Sequence, residues 1–453
     1  METKKTMMFG GAAVVLMLLA WITAPRPVTP DEFSDVGKQF FPEFNDPSVA
    51  RSLEVVTWDE QTGSAIPFKV VNQNGNWSIP SHFNYPADGA ERLAKVAAGM
   101  IGVTRDDYRG RNSTDYQAFG VIDPLEEGAA LEGRGQRITI RGENEVVLAD
   151  LIVGKAIPDR EGLRYVRKAD EKQVYAARLD LELTTKFSDW IDADLLMVDK
   201  NNIDRVEINN YSINERSGTI RQGEKLVLNK DGSTWKMDGM RAAQEVNITE
   251  MNNVLAGIDE LAIVGVRPKP AGLSASLKGN EEAIRISDGD VMDLQSKGYF
   301  FSRDGSLVSN EGELEVETND GVVYTLRFGE VAPGTGLAVS SGVGADAVTE
   351  ESSASNRYLF ITANFDRERF KEPRMPANTD FQSKADSLWS NADRENKTLY
   401  DAHQAWVFQI ASGEAKVSGL VERFADWYYV ISEKTFEKLR KDRSKLLKNK
   451  TNS

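Results

Sequence analysis

The chain has 453 residues, no cysteine and two histidines, His82 and His403, and its 70 acidic against 55 basic side chains leave a formal charge of −15. That composition excludes disulfides, thiolate chemistry and a three-histidine metal site, and an acidic chain lacks the clustered cations that nucleic acid requires. With 40 % hydrophobic and 28 % charged residues, the chain can fold around a core, at a length suited to two or three domains.

After a six-residue start, Met7 to Ala24 form an uncharged run, at the lower edge of a membrane-spanning length. Lys4 and Lys5 precede it, which predicts a single-pass anchor in the inner membrane, with the N-terminus inside and the bulk of the chain outside. The rival expectation is a cleaved signal peptide, but Ile22 makes a poor A-x-A site and Pro25 follows directly. The prolines of residues 25–50 suit an extended spacer.

The chain then repeats itself. FKVVNQNGNWSIP around Trp77 and KLVLNKDGSTWKMDG around Trp235 each read as a hairpin closed at Asn/Asp-Gly, with tryptophan on the second strand and directed to the core. Each is followed by helical spacing: Leu93, Val96, Ala97 and Met100 in one copy, Met251, Val254, Leu255 and Ile258 in the other. Asp88 in the first copy, and Thr249 or Asn247 in the second, are candidate caps. Paired alternating strands end at Gly154 and Gly329, and Arg164-Tyr165 matches Arg357-Tyr358. The predicted fold class is α+β: two tandem copies of a hairpin, a helix and an antiparallel meander. Unit one spans 51–200. Unit two spans 201–370, with insertions near 268–310 and 332–355, the second Gly/Ser-rich and expected to be a mobile loop. Between the units a short helix is expected from Ser188. Residues 371–453 are expected to form a separate helical segment broken at Gly413, with the aromatic run Trp427, Tyr428, Tyr429 and a basic tail.

These features resemble a bacterial family of unknown function numbered 4340. The resemblance rests on the Asn/Asp-Gly-x-Trp turn, Val153-Gly154, Arg164 to Val166 with Val174-Tyr175, and the Tyr116-x-x-Phe119-Gly120-Val121-x-x-Pro124 segment. It implies a membrane-anchored tandem envelope protein of the kind placed with gliding-motility-type ABC transport systems as an auxiliary, and it brings no catalytic residues.

The residues themselves supply no catalytic constellation. Asp288, Asp290 and Asp293 fail the EF-hand spacing, with Asp293 where glycine is needed and Tyr299 where glutamate is needed. Asp189, Asp192 and Asp194 fit the start of a helix. Pro333 to Gly344 lack the Gly-Lys-Ser/Thr of a phosphate loop. His82 has no counterpart in the second copy, and neither His82 nor His403 has a nearby nucleophile. No catalytic, metal or cofactor residue is assigned. Three consecutive aromatics on a strand point to both faces, so Trp427, Tyr428 and Tyr429 are the candidate partner surface. The tail from Lys434 to Lys450 is expected to be a solvated basic terminus, with docking on the acidic body, on lipid headgroups or on an acidic partner as alternatives. The expected function is that of a non-catalytic, membrane-anchored accessory protein contacting ABC transporter subunits or other envelope proteins. A glycan-binding module and a carboxylate-dependent envelope hydrolase are the alternatives.

Overall fold

Both glycine turns close hairpins in the computed structural model, which describes residues 13–18, 20, 35–60, 62–181, 183–214, 219–279, 286–334, 336–342 and 355–450. Strand β1 (Ser52–Asp59) precedes β2 (Ser64–Gln73) and β3 (Asn76–Ile79), which pair with Asn72 opposite Trp77. Asn74 and Gly75 between them both have positive φ, 55° and 88°, as a two-residue type I′ turn demands. A short β4 (Tyr85–Pro86) and helix α1 (Ala90–Met100) follow, then β5 (Asp107–Gly110), β6 (Gln136–Arg141), β7 (Val147–Ala156), β8 (Leu163–Lys168) and β9 (Val174–Arg178).

The second copy runs β10 (Ile203–Asn209), β11 (Lys225–Asp231), β12 (Thr234–Met237), α2 (Ile248–Asp259) and β13 (Ile263–Pro268). Helices α3 (Ala271–Leu277) and α4 (Asp288–Ser296) come next, then β14 (Glu313–Thr318), β15 (Val322–Val331) and β16 (Arg357–Phe365). The chain continues as α5 (Asn391–Ala425), β17 (Trp427–Ile431) and α6 (Glu433–Leu439).

Sheet order makes the duplication explicit. The first sheet is ordered β4-β3-β2-β1-β6-β7-β8-β9-β5 and the second β12-β11-β10-β14-β15-β16-β17-β13. With β4 set aside, the two orders are the same strand for strand. The predicted helix residues Leu93, Val96, Ala97 and Met100 are buried in α1, and Met251, Val254, Leu255 and Ile258 in α2. Each of these side chains other than Ala97 stabilises its copy by roughly 1.5–3 kcal/mol. Asn247 sits at the α2 N-cap but makes no side-chain cap bond; its amide donates to the Lys445 carbonyl at 3.3 Å.

By packing, the chain divides into two compact units, residues 1–68 with 91–183, and residues 69–90 with 184–453. The division passes through β2. The C-terminal segment therefore belongs to the second unit and is not a separate appendage. Its aromatic run is β17, hydrogen-bonded between β16 and β13. It takes the place that β9 takes in the first copy, but is reached after a long excursion from Asp366 to Asp426 instead of a short turn. Gly413 does not break the helix: α5 runs through it, and the ring of Phe365 occupies the space a Cβ would need. The expected helix near Ser188 is one 3₁₀ turn, Phe187–Trp190, with Trp190 fully buried. Of the expected mobile loop, residues 343–354 lie outside the described residues, while Gly336–Ser340 form a helical turn in which Ala338 and Val339 are buried. The predicted anchor lies largely outside the described residues; 13–18 and 20 are helical. Among the described residues no helix is long and apolar enough to cross a membrane.

The repeated glycines explain themselves at one corner of each copy. A Cβ on Gly154 in β7 would overlap the Phe119 carbonyl and lie 2.7 Å from Val121 Cγ1, and one on Gly329 in β15 would overlap the Lys297 carbonyl and lie 2.8 Å from the Tyr299 ring. The crossing chain turns at a second glycine with positive φ, Gly120 (72°) or Gly298 (82°). The Arg-Tyr pair completes the corner. Arg164 donates to the Gly154 carbonyl at 3.0 and 2.7 Å, and Arg357 to the Gly329 carbonyl at 3.4 Å. The predicted insertion near 268–310 is thus an enlarged form of a connection that both copies possess.

Gly154→Val and Gly329→Val force backbone apart and are each expected to destabilise by about 3 kcal/mol or more. Gly419 on α5 has nothing within 4 Å of its Cβ position, so Gly419→Ala is expected to stabilise by up to about 1 kcal/mol. Urea unfolding of the three variants checks the sign of each.

Candidate functional site

The glycine corner of the second copy carries a cluster of buried polar groups. Pro268 ends β13 and Pro270 caps α3, so Lys269 is held between two residues of fixed φ. Only 6 % of it is exposed. Its backbone N–H donates to the Asp426 carbonyl at 2.7 Å, and its Nζ donates to the Phe424 carbonyl at 2.9 Å. Both acceptors lie at the C-terminus of α5, where carbonyls lack intrahelical donors and a cation is favoured. Asp426 also accepts from the Ser274 hydroxyl, and from Lys278 at 2.9 Å.

Aromatic rings wall the ammonium in. Nζ of Lys269 lies 3.9 Å from the Phe360 ring centre and 5.6 Å from that of Tyr428. Tyr299 and Tyr428 stack at 5.9 Å and 5°, and Phe360 meets each edge-on. Lys297, paired with Asp293, stands 5.0 Å from the Tyr428 ring. The Tyr428 hydroxyl and the Asp293 Oδ2 are both buried, and the Asp293 carboxylate acts on the phenol.

Electrostatics follow from burial. Loss of water pushes the Lys269 ammonium well below its ordinary value, with the Asp426 carboxylate opposing the shift. Burial, and then the Asp293 charge, push the Tyr428 phenol far up. Tyr299 is likewise raised by burial. The arrangement holds a buried lysine inside an aromatic shell while fixing the end of α5. The first copy buries Arg167 instead, at the β8 position that matches Phe360, where four carbonyls, those of Val121, Lys168, Ala169 and Glu171, satisfy it.

The residues singled out from sequence are dispersed. Tyr428 and Tyr429 are fully buried, so they are core and not the expected partner surface; the Tyr429 hydroxyl donates to the Arg423 carbonyl at 3.0 Å. Trp427 is half-buried, edge-on to Tyr85 with ring centres 5.0 Å apart. Asp290 forms a capping box with Ser287, while Asp293 pairs with Lys297. Asp189 accepts from Thr184, Asp192 pairs with Arg423 at 2.8 Å, and Asp194 accepts from the Met197 N–H. No group of three or more acidic or histidine side chains arranged for a metal occurs among the described residues. Trp235 is buried as expected and Trp77 half-buried. His82 is buried, and His403 faces Glu372 at 3.6 Å.

The basic tail docks on the acidic body instead of standing solvated. Arg440 reaches Glu311, Lys441 Glu250, Arg443 Glu224 and Lys448 Glu245. Sequence reasoning passed over Lys269. Its signal was a lysine set between two prolines directly after an apolar strand.

Comparison with known proteins adds one match. Residues 77–276 match the family described as Domain of unknown function (DUF4340). The matched stretch holds Gly120, Gly154 and Arg164 of the first corner and Lys269 of the second, while Gly298, Gly329 and Arg357 lie beyond it. No curated protein and no solved structure matches.

Lys269 gives a pH signature with a definite sign. Its folded value lies below that of the unfolded chain, so the unfolded state binds more protons between the two values. Stability therefore rises with pH in the alkaline range below about 10.4, the ordinary lysine value. Lys269→Met is expected to abolish that rise. Urea unfolding of both proteins at pH 7 and pH 10 measures it, and an identical pH slope in the variant would refute it.

Proposed function

We propose that this chain is a non-catalytic, membrane-anchored, extracytoplasmic accessory protein that docks onto subunits of an ABC-type transport or cell-envelope complex. The observation that carries the reading is the excursion from Asp366 to Asp426. At the matching place the first copy joins β8 to β9 through residues 169–173 alone. The second copy spends the excursion on a 35-residue helix anchored at its end by Lys269 and Lys278. Four exposed large apolar side chains fall within the excursion, Met375, Leu388, Val407 and Phe408, the last 75 % exposed. A solvent-facing helix in a chain this rich in charge is normally polar. An addition of this size that retains apolar exposure marks a contact surface.

Three further points support the reading. The recurring glycines and arginines serve packing. Asp290 and Asp293 of α4 and the acidic residues of the 189–194 segment are taken up by caps, turns and ion pairs. The uncharged run from Met7 to Ala24 has the length of an anchor.

Photo-crosslinking from position 408 in native membranes is expected to capture transporter ATPase or permease subunits. Phe408→Asp changes an exposed side chain, so stability should move by no more than about 0.5 kcal/mol. Loss of a central aromatic contact should weaken capture roughly tenfold or more. Undiminished capture by a folded Phe408→Asp protein, or crosslinks to nothing but the chain itself, would overturn the reading.

A further inference from the structure

Helix α5 packs on β16 of the second sheet through one face. Trp406, Ile410, Gly413, Val417, Leu420 and Phe424 recur at spacings of four and three, and none of them is exposed. That inward face accounts for the helix within the chain. The opposite face has a repeat of its own. Ala405, Phe408, Ser412, Ala415 and Gly419 follow at spacings of three and four, and all of them are exposed. A face that only meets water needs charged and polar groups and no such period. Two seams on opposite sides are the pattern of a helix packed between two neighbours.

Gly419 adds an independent observation. Glycine inside a helix lowers stability relative to alanine, so one in that place has a packing or functional reason. Gly413 has its reason inside the chain, where the Phe365 ring occupies the space of a Cβ. Gly419 has none there, since nothing lies within 4 Å of its Cβ position. It lies three turns from Phe408 on the same stripe. Charge points the same way. Between Asp401 and Glu422, Glu414 is the one exposed charged side chain among the described residues. Arg367 meets Glu414 at 3.8 Å, Lys397 pairs with Asp401, and Lys278 meets Glu422 at 3.3 Å. The stripe is thus neutral on a chain of formal charge −15. It offers little to a cationic surface and complements an uncharged one.

We propose that the outward stripe of α5 receives a single amphipathic helix of a transport-complex subunit, seated with its uncharged aliphatic side on Phe408, Ser412, Ala415 and Gly419. This presupposes that the chain docks on such subunits. A second helix is the partner that repeats its contacts every three and four residues along one line. From Ala405 to Gly419 that line runs about 21 Å. Small side chains let the two backbones approach to about 8 Å, the near end of helix packing. Large aliphatic side chains of the partner then fill the depressions at Ser412, Ala415 and Gly419, and a small residue faces the Phe408 ring. Gly419 becomes the point of closest backbone approach.

The test uses the full-length protein in native membranes, with a photo-crosslinker at position 408. Gly419→Leu places a side chain in empty space, so its urea midpoint should equal or exceed that of wild type. The same side chain blocks the track, and capture of ATPase or permease subunits should fall roughly tenfold or more. A merely structural glycine would move the midpoint and the capture together. Should Gly419→Leu not fold, Ala415→Leu carries the same expected loss. Ala402→Leu makes a like change on an exposed flank outside the stripe, and should leave capture unchanged. With the crosslinker moved to 405, 412 and 415, the joined sites on the subunit should step by three or four residues along one segment. Capture that survives a folded stripe variant, or joined sites scattered over several segments, overturns the helix partner while docking itself stands. A wild type that captures no subunit from position 408 overturns both.

Discussion

A backbone can cross a β-strand in direct contact only where that strand has no Cβ, and both halves of this protein are arranged around such a crossing. In β7 the gap is Gly154 and in β15 it is Gly329. The crossing segment turns at Gly120 or Gly298 in the left-handed region, and an arginine of the next strand, Arg164 or Arg357, binds the carbonyl of the gap residue. Much follows from this contact. It fixes the connection between β5 and β6, or between β13 and β14, against one face of the sheet. That face then needs a buried core, which Tyr116, Val121, Ile122, Ile152 and Val174 supply in the first copy, and Leu273, Leu294, Tyr299, Phe360 and Tyr428 in the second.

With the crossing kept, the two copies are free to differ around it. The first fills its corner with Arg167, whose planar guanidinium meets several carbonyls at once. The second places Phe360 there and brings in Lys269, a point charge with fewer bonds and an aromatic wall. The exchange is coupled to the long excursion. Lys269 is the group that receives the last carbonyls of α5, so the added helix and the substituted cation form one mechanical unit. A second close approach also recurs in both copies. Gly99 in α1 gives passage to Leu181, and Gly257 in α2 gives passage to Leu439 and Lys438. The segment leaving each sheet thus crosses the covering helix at the same helical position.

What could be read in the chain was local and repeated. The hairpin turns, the buried helix faces and the matched Gly and Arg-Tyr landmarks were visible because each depends on short spacing and occurs twice. Contacts across long separations were not visible. Nothing near Asp426 to Ile431 shows that the strand completes a sheet begun more than 200 residues earlier, and its consecutive aromatics look exposed because alternation assumes a single buried face. The sheet is covered on both sides there, by α5 and by the Leu273–Tyr299 cluster, so both faces take aromatics. Gly413 was misleading for the same reason. Its cause is the ring of Phe365, remote in sequence, and not helix termination. Lys269 carried a weak signal, since burial of a lone lysine depends on helix-end carbonyls contributed by another part of the chain.

The uneven charge that stands out in the composition has a structural reason of limited energy. Four cations of the tail meet four carboxylates of the body, but these side chains are partly exposed, and such pairs contribute ~0–1 kcal/mol each. Apolar burial has the larger share. Phe436, Leu439, Leu446 and Leu447 are buried, and Leu439 rests in the gap at Gly257. The Phe436 ring also lies under Arg357 at 4.6 Å, so the tail reaches back to the arginine that secures the second crossing. The charges set which surface the tail selects, and the apolar contacts hold it there. Once seated, the tail completes the shell around the corner on which the second copy depends.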